Sequence, residues 1–214
     1  KQFIEIGGVP VIVRTVRAFL AVEEIDMAYV GIKPDWHEYT DELFERFGID
    51  KERVRVIDGG ADRNGTVMNI AEAIVAEHGE NEGDIILTHD AVRPFVTEKI
   101  IKDNIEAMTK HSACGTYMPA ADTIIRSDGE KVSETLNRSE LYQAQTPQTF
   151  RLGDLRRNYY SLSKEQNKKL TDTCSVFTAC NEDIYLVVGD ALNFKITTDS
   201  DLRMANALAE LSKK

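Results

Sequence analysis

Residues His89-Asp90-Ala91-Val92-Arg93-Pro94-Phe95 follow the apolar run Ile85-Ile86-Leu87-Thr88 and set a carboxylate, a guanidinium and a rigid turn at the end of an expected buried strand. Open α/β sheets bind ligands there, beyond the carboxyl ends of their strands. Asp90 can orient a metal or a hydroxyl group, Arg93 can grip a phosphate or polyol with its planar fork, and Pro94 fixes the local backbone. The same residues also read as a surface ion pair beside a helix-starting proline, which contributes little. His89 reads as a structural hydrogen-bonding residue, because Asp90 and Arg93 already suit ligand binding. His37, His78 and His111 lie in polar stretches where a solvated ring is the plain reading.

Three further groups carry possible chemistry. The first, Asp58-Gly59-Gly60-Ala61-Asp62-Arg63-Asn64-Gly65-Thr66, is a glycine-rich turn between a strand and a helix. Its backbone can approach a ligand closely, and Thr66 and the first-turn amides can hydrogen-bond a base, ribose or phosphate. It has neither the lysine of a Walker A loop nor a GxGxxG pattern, and glycine in such a turn is often purely steric. The second is Gln143-Ala144-Gln145-Thr146-Pro147-Gln148-Thr149-Phe150, in which Gln143, Gln145 and Thr149 alternate and Thr146 opens a turn. Unaided, it reads as an edge strand with polar side chains outward. The third is Asn193-Phe194-Lys195-Ile196-Thr197-Thr198-Asp199. Lys195 alternates with Phe194 and Ile196 and so faces away from their core. The neighbouring threonines and helix N-terminus add an anion-attracting group.

The elements that must position these residues alternate along the chain. Strands are predicted over 25–32, 53–57 and 85–88, and helices over 35–47, 64–78 and 97–109, the pattern of a sheet covered on both faces. After Lys110 the rhythm breaks into short strand-like pieces at 114–119, 123–126 and 131–136, with a turn at Ser127-Asp128-Gly129-Glu130. Part of this stretch, about 120–142, reads as an inserted hairpin arm that docks on a second copy of the chain or folds back on its own subunit. Beyond it come an extended run at 142–150, helices over 151–162 and 171–180, strands over 184–188 and 193–197, and a closing helix over 199–211 capped by Thr198 or Asp199. One domain over residues 1–214 is the expectation from length.

Composition is that of an ordinary globular chain, with 42% hydrophobic and 29% charged residues. A net charge of −10 argues against general binding to nucleic acid or to an anionic membrane surface, both of which need a basic field. An anionic substrate therefore needs a local basic pocket. No apolar run reaches membrane-spanning length. Cys114, Cys174 and Cys180 form no CxxC pair or zinc spacing, which fits a reduced, cytoplasmic protein.

Taken in order, KQFIEIGG, GGADRNGT, HDAVRPF, NRSELYQAQTPQTF, TDTC and NFKITTDSDL resemble the cytidylyltransferases that couple CTP to sugar-alcohol phosphates. The resemblance runs from Lys1 to the last helix. It implies a Rossmann-like α/β fold of the nucleotide-diphosphosugar transferase type, with a mixed, mainly parallel sheet flanked by helices and a protruding β-arm for dimerisation. Within that group the chain resembles the branch acting on D-ribitol 5-phosphate, whose product CDP-ribitol suits teichoic acid and cell-wall assembly. The alternative is the branch acting on 2-C-methyl-D-erythritol 4-phosphate in isoprenoid synthesis, which tends to carry an acidic residue and alanine where Thr173 and Cys174 stand. A third reading is a non-catalytic nucleotide-binding or scaffold protein.

What the resemblance implies can be stated residue by residue. Lys1 stabilises the transition state, while an arginine partner and a glycine-rich phosphate loop are expected upstream of it. Gly60, Ala61, Arg63 and Thr66 match the cytidine-binding segment, with one contact in doubt because an acidic residue sometimes stands in place of Ala61. Asp90 matches a residue that helps hold Mg2+ and substrate hydroxyls, and Arg93 a polyol or phosphate contact. Thr146, Thr171 and Lys195 match acceptor-phosphate positions. Thr123 and Arg138, on the arm, match groups donated across a homodimer to the neighbour's site, so that each active site would be shared. Lys1, Arg138 and Lys195 are thus the expected catalytic set, and Mg2+ the expected cofactor.

Overall fold

The computed structural model describes residues 1–211. Its elements run in the order β1 (Glu5–Ile6), β2 (Val9–Pro10), α1 (Val11–Leu20), β3 (Ala28–Ile32), α2 (His37–Arg46), β4 (Val54–Asp58), α3 (Arg63–His78), β5 (Ile85–Thr88) and α4 (Glu98–Ala107). They continue with β6 (Ala113–Pro119), β7 (Ile125–Ser127), β8 (Val132–Thr135), β9 (Tyr142–Arg151), α5 (Leu152–Ser161), α6 (Lys164–Asn167), α7 (Cys174–Ala179), β10 (Tyr185–Val188) and α8 (Asp199–Leu211). The main sheet has the order β10-β6-β9-β5. β10 pairs parallel with β6, whereas β9 runs antiparallel to both β6 and β5. Three of its four strands therefore point one way, giving the mixed sheet expected. β3 and β4 form a separate parallel pair.

Helices cover both faces because successive strand residues point to opposite sides. Ile86 packs in a cluster with Val67, Phe150, Leu155 and Phe177, from the side of α3, α5 and α7. Its neighbour Leu87 packs against the cluster of Phe19, Ile100 and Ile101, from α1 and α4. Phe150 and Phe177 stack with centroids 4.8 Å apart and are fully buried. Each such ring or aliphatic side chain stabilises the fold by about 1.5–3 kcal/mol. The helix starts follow local chemistry: the Asp62 side chain accepts from the Gly65 amide to cap α3, and Thr97 accepts from the Ile100 amide to cap α4.

Several expectations need correction. Segment 193–197 forms no strand; it is held by side-chain and single backbone bonds, including Ile196 N–H to the Val92 carbonyl and the Asn193 amide to the Thr146 carbonyl. The 142–150 run is not an edge strand, since β9 lies between β6 and β5 with Gln145, Thr146, Gln148 and Thr149 buried. The strand expected over 25–32 begins only at Ala28, and the helix expected over 171–180 only at Cys174. α1, β1 and β2 were not anticipated. Within the expected arm, β7 and β8 form an antiparallel hairpin whose residues are all exposed.

Candidate active site

The functional side chains gather at the C-terminal ends of β4 and β5. Asp90, two residues beyond the end of β5, carries the centre of the arrangement. Its Oδ1 lies 3.2 Å from Arg63 Nε, and its Oδ2 lies 3.0 Å from Lys195 Nζ and 3.5 Å from Arg93 Nε. Three cations thus meet one carboxylate and leave a local surplus of positive charge on a chain that is acidic overall. Burial opposes ionisation of Asp90, but the charge of Arg63, the Lys195 hydrogen bond and the Lys195 charge outweigh it and hold the carboxyl below its usual range.

The three cations differ in what they can do. Arg93 is buried, and it donates to the Asn193 carbonyl at 2.8 Å and to the Ala144 carbonyl at 3.5 Å. Its fork is therefore spent on fixing the 193–195 segment and Asp90. Lys195 and Arg63 keep 43% and 33% of their side chains exposed, enough to meet a ligand. Lys1 is exposed and donates from Nζ to the Thr197 carbonyl at 2.8 Å, so it stands beside the Lys195 segment. Lys1, Arg63, Asp90, Arg93 and Lys195 thus lie in one neighbourhood.

β9 reaches the same point through an irregularity. Gly115 pairs with Gln148 but Tyr117 pairs with Ala144, so the segment around Pro147, which has no N–H to give, leaves the regular ladder. That turns Thr146 toward β5, where its hydroxyl accepts from the Asp90 amide at 3.1 Å and meets His89 Nδ1 at 3.0 Å. His89 Nε2 lies 3.1 Å from the Arg93 carbonyl, which can only accept. Nε2 therefore carries the proton, Nδ1 accepts, and the Thr146 hydroxyl donates inward. Burial pushes the imidazole down to about 4, against the opposing effects of the Arg93 carbonyl and Asp90. Thr146 is buried and its only proton is engaged, so it orients Asp90 in this arrangement.

The glycine-rich turn is shaped by contact. A Cβ on Gly60 would lie 2.4 Å from the Gly65 backbone, so only glycine fits. Thr66 closes the turn, accepting from the Gly60 amide at 2.9 Å and donating to the Asp62 carbonyl at 2.9 Å. Gly60 and Ala61 are exposed at its rim. Lys1, Gly60 and Thr66 line a common shallow cleft with Phe3, Gly31 and Trp36.

A bracket that sequence reasoning missed holds the remaining wall. Gln148, buried, donates to Asp172 Oδ2 at 2.6 Å and accepts from the amides of Thr173 and Cys174 at 3.1 and 3.2 Å. Thr173 in turn accepts from Arg63 at 2.7 Å, and its hydroxyl lies 3.5 Å from Asn64 Oδ1. The signal was a glutamine inside a strand, which must find partners when buried. Thr171 is exposed at the end of this bracket, its amide donating to Ser175 Oγ. Thr123 and Arg138 lie exposed on the arm, Arg138 donating to the Ala121 carbonyl at 2.7 Å.

Among the described residues no group of three or more His, Cys, Asp or Glu side chains could hold a metal ion. Asp90 is the one carboxylate at this centre, and with its oxygens engaged by Arg63, Lys195 and Arg93 it would take a hard cation only together with substrate phosphates that draw those side chains off. No helix among the described residues is long and apolar enough to cross a membrane.

Comparison with known proteins gives this geometry its context. Residues 1–210 match the family model IspD, described as 2-C-methyl-D-erythritol 4-phosphate cytidylyltransferase. Among solved structures, the 4-diphosphocytidyl-2C-methyl-D-erythritol synthase of Anaerococcus prevotii DSM 20548 is 29% identical with a TM-score of 0.83, over 96% of this chain and 88% of that one. A second synthase described by the same activity is 30% identical with a TM-score of 0.84, over 98% and 94%. The 2-C-methyl-D-erythritol 4-phosphate cytidylyltransferase of Francisella tularensis is 27% identical with a TM-score of 0.83, over 97% and 92%. With a family match over nearly its whole length and its cations assembled at the strand ends, this chain belongs to the IspD family of cytidylyltransferases, which are nucleotidyltransferase enzymes.

Proposed function

We propose that the chain transfers CMP from CTP to D-ribitol 5-phosphate, giving CDP-ribitol and pyrophosphate. The observation that carries the reading is the convergence of Arg63, Lys195 and Arg93 on Asp90 at the end of β5. A phosphate oxygen of the polyol attacks the α-phosphorus of CTP in line, the new P–O bond forms, and the bond to the β-phosphate bridging oxygen breaks. Pyrophosphate leaves with that electron pair. No protein nucleophile is needed, because positioning and charge neutralisation supply the catalysis. Lys1, Arg63 and Lys195 neutralise phosphate charge, Gly60, Ala61 and Thr66 border the cytidine, and Arg93 and Thr146 fix Asp90. Asp90 is the residue that would hold Mg2+, which would help offset the triphosphate charge.

Acceptor choice is supported by the wall beside Asp90. Arg63, Asn64, Asp172 and Thr173 present donors and acceptors linked to one another. Such a wall suits the extra hydroxyls of ribitol, which would otherwise be left without partners in a closed site. The second reading, 2-C-methyl-D-erythritol 4-phosphate as acceptor, has the better support from the comparisons, since both the matching family model and the similar structures are described by that activity. In either case the exposed arm is read as a dimer contact that brings Thr123 and Arg138 to the partner's acceptor phosphate. Pyrophosphate release from CTP, Mg2+ and ribitol 5-phosphate tests the assignment. Lys195→Ala is expected to lower turnover at least ~100-fold while the protein stays folded. Unchanged turnover removes Lys195 from the mechanism.

A further inference from the structure

β10 ends at Val188 and α8 begins at Asp199, and residues 189–198 between them form neither helix nor strand. This loop nevertheless carries Lys195, whose Nζ lies 3.0 Å from Asp90 Oδ2. A lysine side chain is a long flexible stem, so the place of its ammonium depends on the backbone that carries it. Phe194 and Ile196 anchor the end of the loop in the cluster of Ile6, Val11 and Ala205, and Ile196 N–H donates to the Val92 carbonyl. Apolar packing attaches the loop but is non-directional, so its register has to come from directed bonds.

Two buried amides supply them. Gln145, 7% exposed, donates from Nε2 to the Asp190 carbonyl at 2.8 Å and accepts at Oε1 from the Asp190 amide at 3.3 Å. Asn193, fully buried, donates from Nδ2 to Gln145 Oε1 at 3.1 Å and to the Thr146 carbonyl at 2.8 Å. Behind them the loop closes on itself, Asn193 N–H donating to the Asp190 carbonyl at 3.0 Å and Leu192 N–H to Asp190 Oδ1 at 2.7 Å. A Cβ on Gly189 would stand 2.5 Å from Gln145 Oε1, so any side chain there would displace the Gln145 amide from its bonds. Neither amide can turn over. Reversed, Asn193 would set an oxygen against the two oxygens that now take its hydrogens, and Gln145 would set its NH2 against two donors.

Lys195 and Asp90 are thereby both referred to one residue of β9. The Thr146 hydroxyl accepts from the Asp90 amide at 3.1 Å, and the Thr146 carbonyl accepts from Asn193, two residues before Lys195. Arg93 braces Asn193 again at its carbonyl. We propose that Gln145 and Asn193 are positioning residues for Lys195: they latch the loop to β9 and set the lysine beside Asp90, without touching substrate themselves. The proposal rests on the reading of Lys195 as a group that neutralises phosphate charge in the transfer. Burial keeps both amides away from a ligand, so their effect has to pass through the loop. A reacting group misplaced by ~1 Å can cost ~100-fold in rate, so loosening the latch is expected to act on kcat.

Gln145→Leu removes the latch bonds at similar side-chain volume. The first measurement is trace acetylation of Lys195 by acetic anhydride in the free protein, read by peptide mass spectrometry. Lys195 is expected to react at least ~3-fold faster in Gln145→Leu than in the wild type, with Lys51 and Lys99 unchanged. An unchanged rate at Lys195, or an equal rise at Lys51 and Lys99, overturns the proposal. The second is a double-mutant cycle with Lys195→Ala on pyrophosphate release. Gln145→Leu is expected to lower kcat at least ~10-fold with the KM for CTP within ~3-fold, and to lower it less than ~2-fold when Lys195 is already alanine. Unchanged kcat, or equal fold losses in the two backgrounds, overturns the proposal. Full turnover by Lys195→Ala alone overturns instead the reading of Lys195 beneath it, and the acetylation rate then still decides the latch. Should Gln145→Leu not fold, Asn193→Ala, which leaves Gln145 bonded to Asp190, is carried through both measurements with the same expectations.

Discussion

Asp90 is held by three cations, but its direction is set by a neutral chain of groups behind it: the Asp90 amide to Thr146, and Thr146 to His89. Because burial takes the folded-state imidazole to about 4, below its ordinary 6.5, the unfolded state binds the extra proton between those values. The stability from keeping His89 neutral is complete above about pH 6.5 and is lost as pH falls toward 4. Urea melts of the wild type are expected to weaken through that window, and His89→Gln to lose that part of the slope; an identical slope in both would show that His89 is not the titrating group. At this scale the sequence was informative about charge and silent about partners. Asp90, Arg93 and Lys195 stood out because charged residues at strand ends need a reason. Nothing in the order of residues told that Arg93 would spend its fork on the Asn193 and Ala144 carbonyls, or that Gln148 would bind the amides of Thr173 and Cys174, because those partners come from distant elements.

At the scale of elements, the start of α8 decides where Lys195 and Lys1 stand. Asp201 accepts from the Thr197 amide, the Thr197 hydroxyl and the Thr198 amide, each at 2.8 Å, while Thr198 Oγ1 accepts from the Asp201 amide. This reciprocal cap fixes the carbonyl of Thr197 that receives Lys1. Backbone donation from Thr197 and Thr198 pulls the Asp201 carboxyl down to about 2, so the cap's contribution is present above pH 4 and is lost as pH falls toward 2. Asp201→Ala is expected to lower the melting temperature by a few degrees and to reduce turnover without changing the circular dichroism spectrum. Equal turnover would show that the cap does not set the lysines. The Thr198 cap was legible, and so was the burial of Ile196 opposite an exposed Lys195. The strand expected there was not found, because alternation reports which side chains face the core and not whether a ladder partner is present. β9 misled for a related reason: its glutamines and threonines read as an exposed edge, yet they are buried against partners only the tertiary fold supplies.

For the whole molecule, the alternation of strands and helices identified a covered sheet, and the break after Lys110 located the exposed hairpin. The proposed shared active site would make a direct demand on the assembly. If Arg138 serves the partner's site and Lys195 its own, inactive Arg138→Ala and Lys195→Ala proteins mixed under exchange should regain about a quarter of wild-type turnover, because random hybrids carry one intact site. No recovery, with exchange shown by sedimentation, would place both residues in one subunit's site. The acceptor remains the centre of the account, and its most direct measure is the ratio of kcat/KM for ribitol 5-phosphate to that for 2-C-methyl-D-erythritol 4-phosphate, with CTP and Mg2+ fixed and pyrophosphate release as the signal. A ratio above ~10 is expected from the polar wall of Arg63, Asn64 and Thr173. A ratio below one would contradict it and assign the enzyme to the methylerythritol reaction.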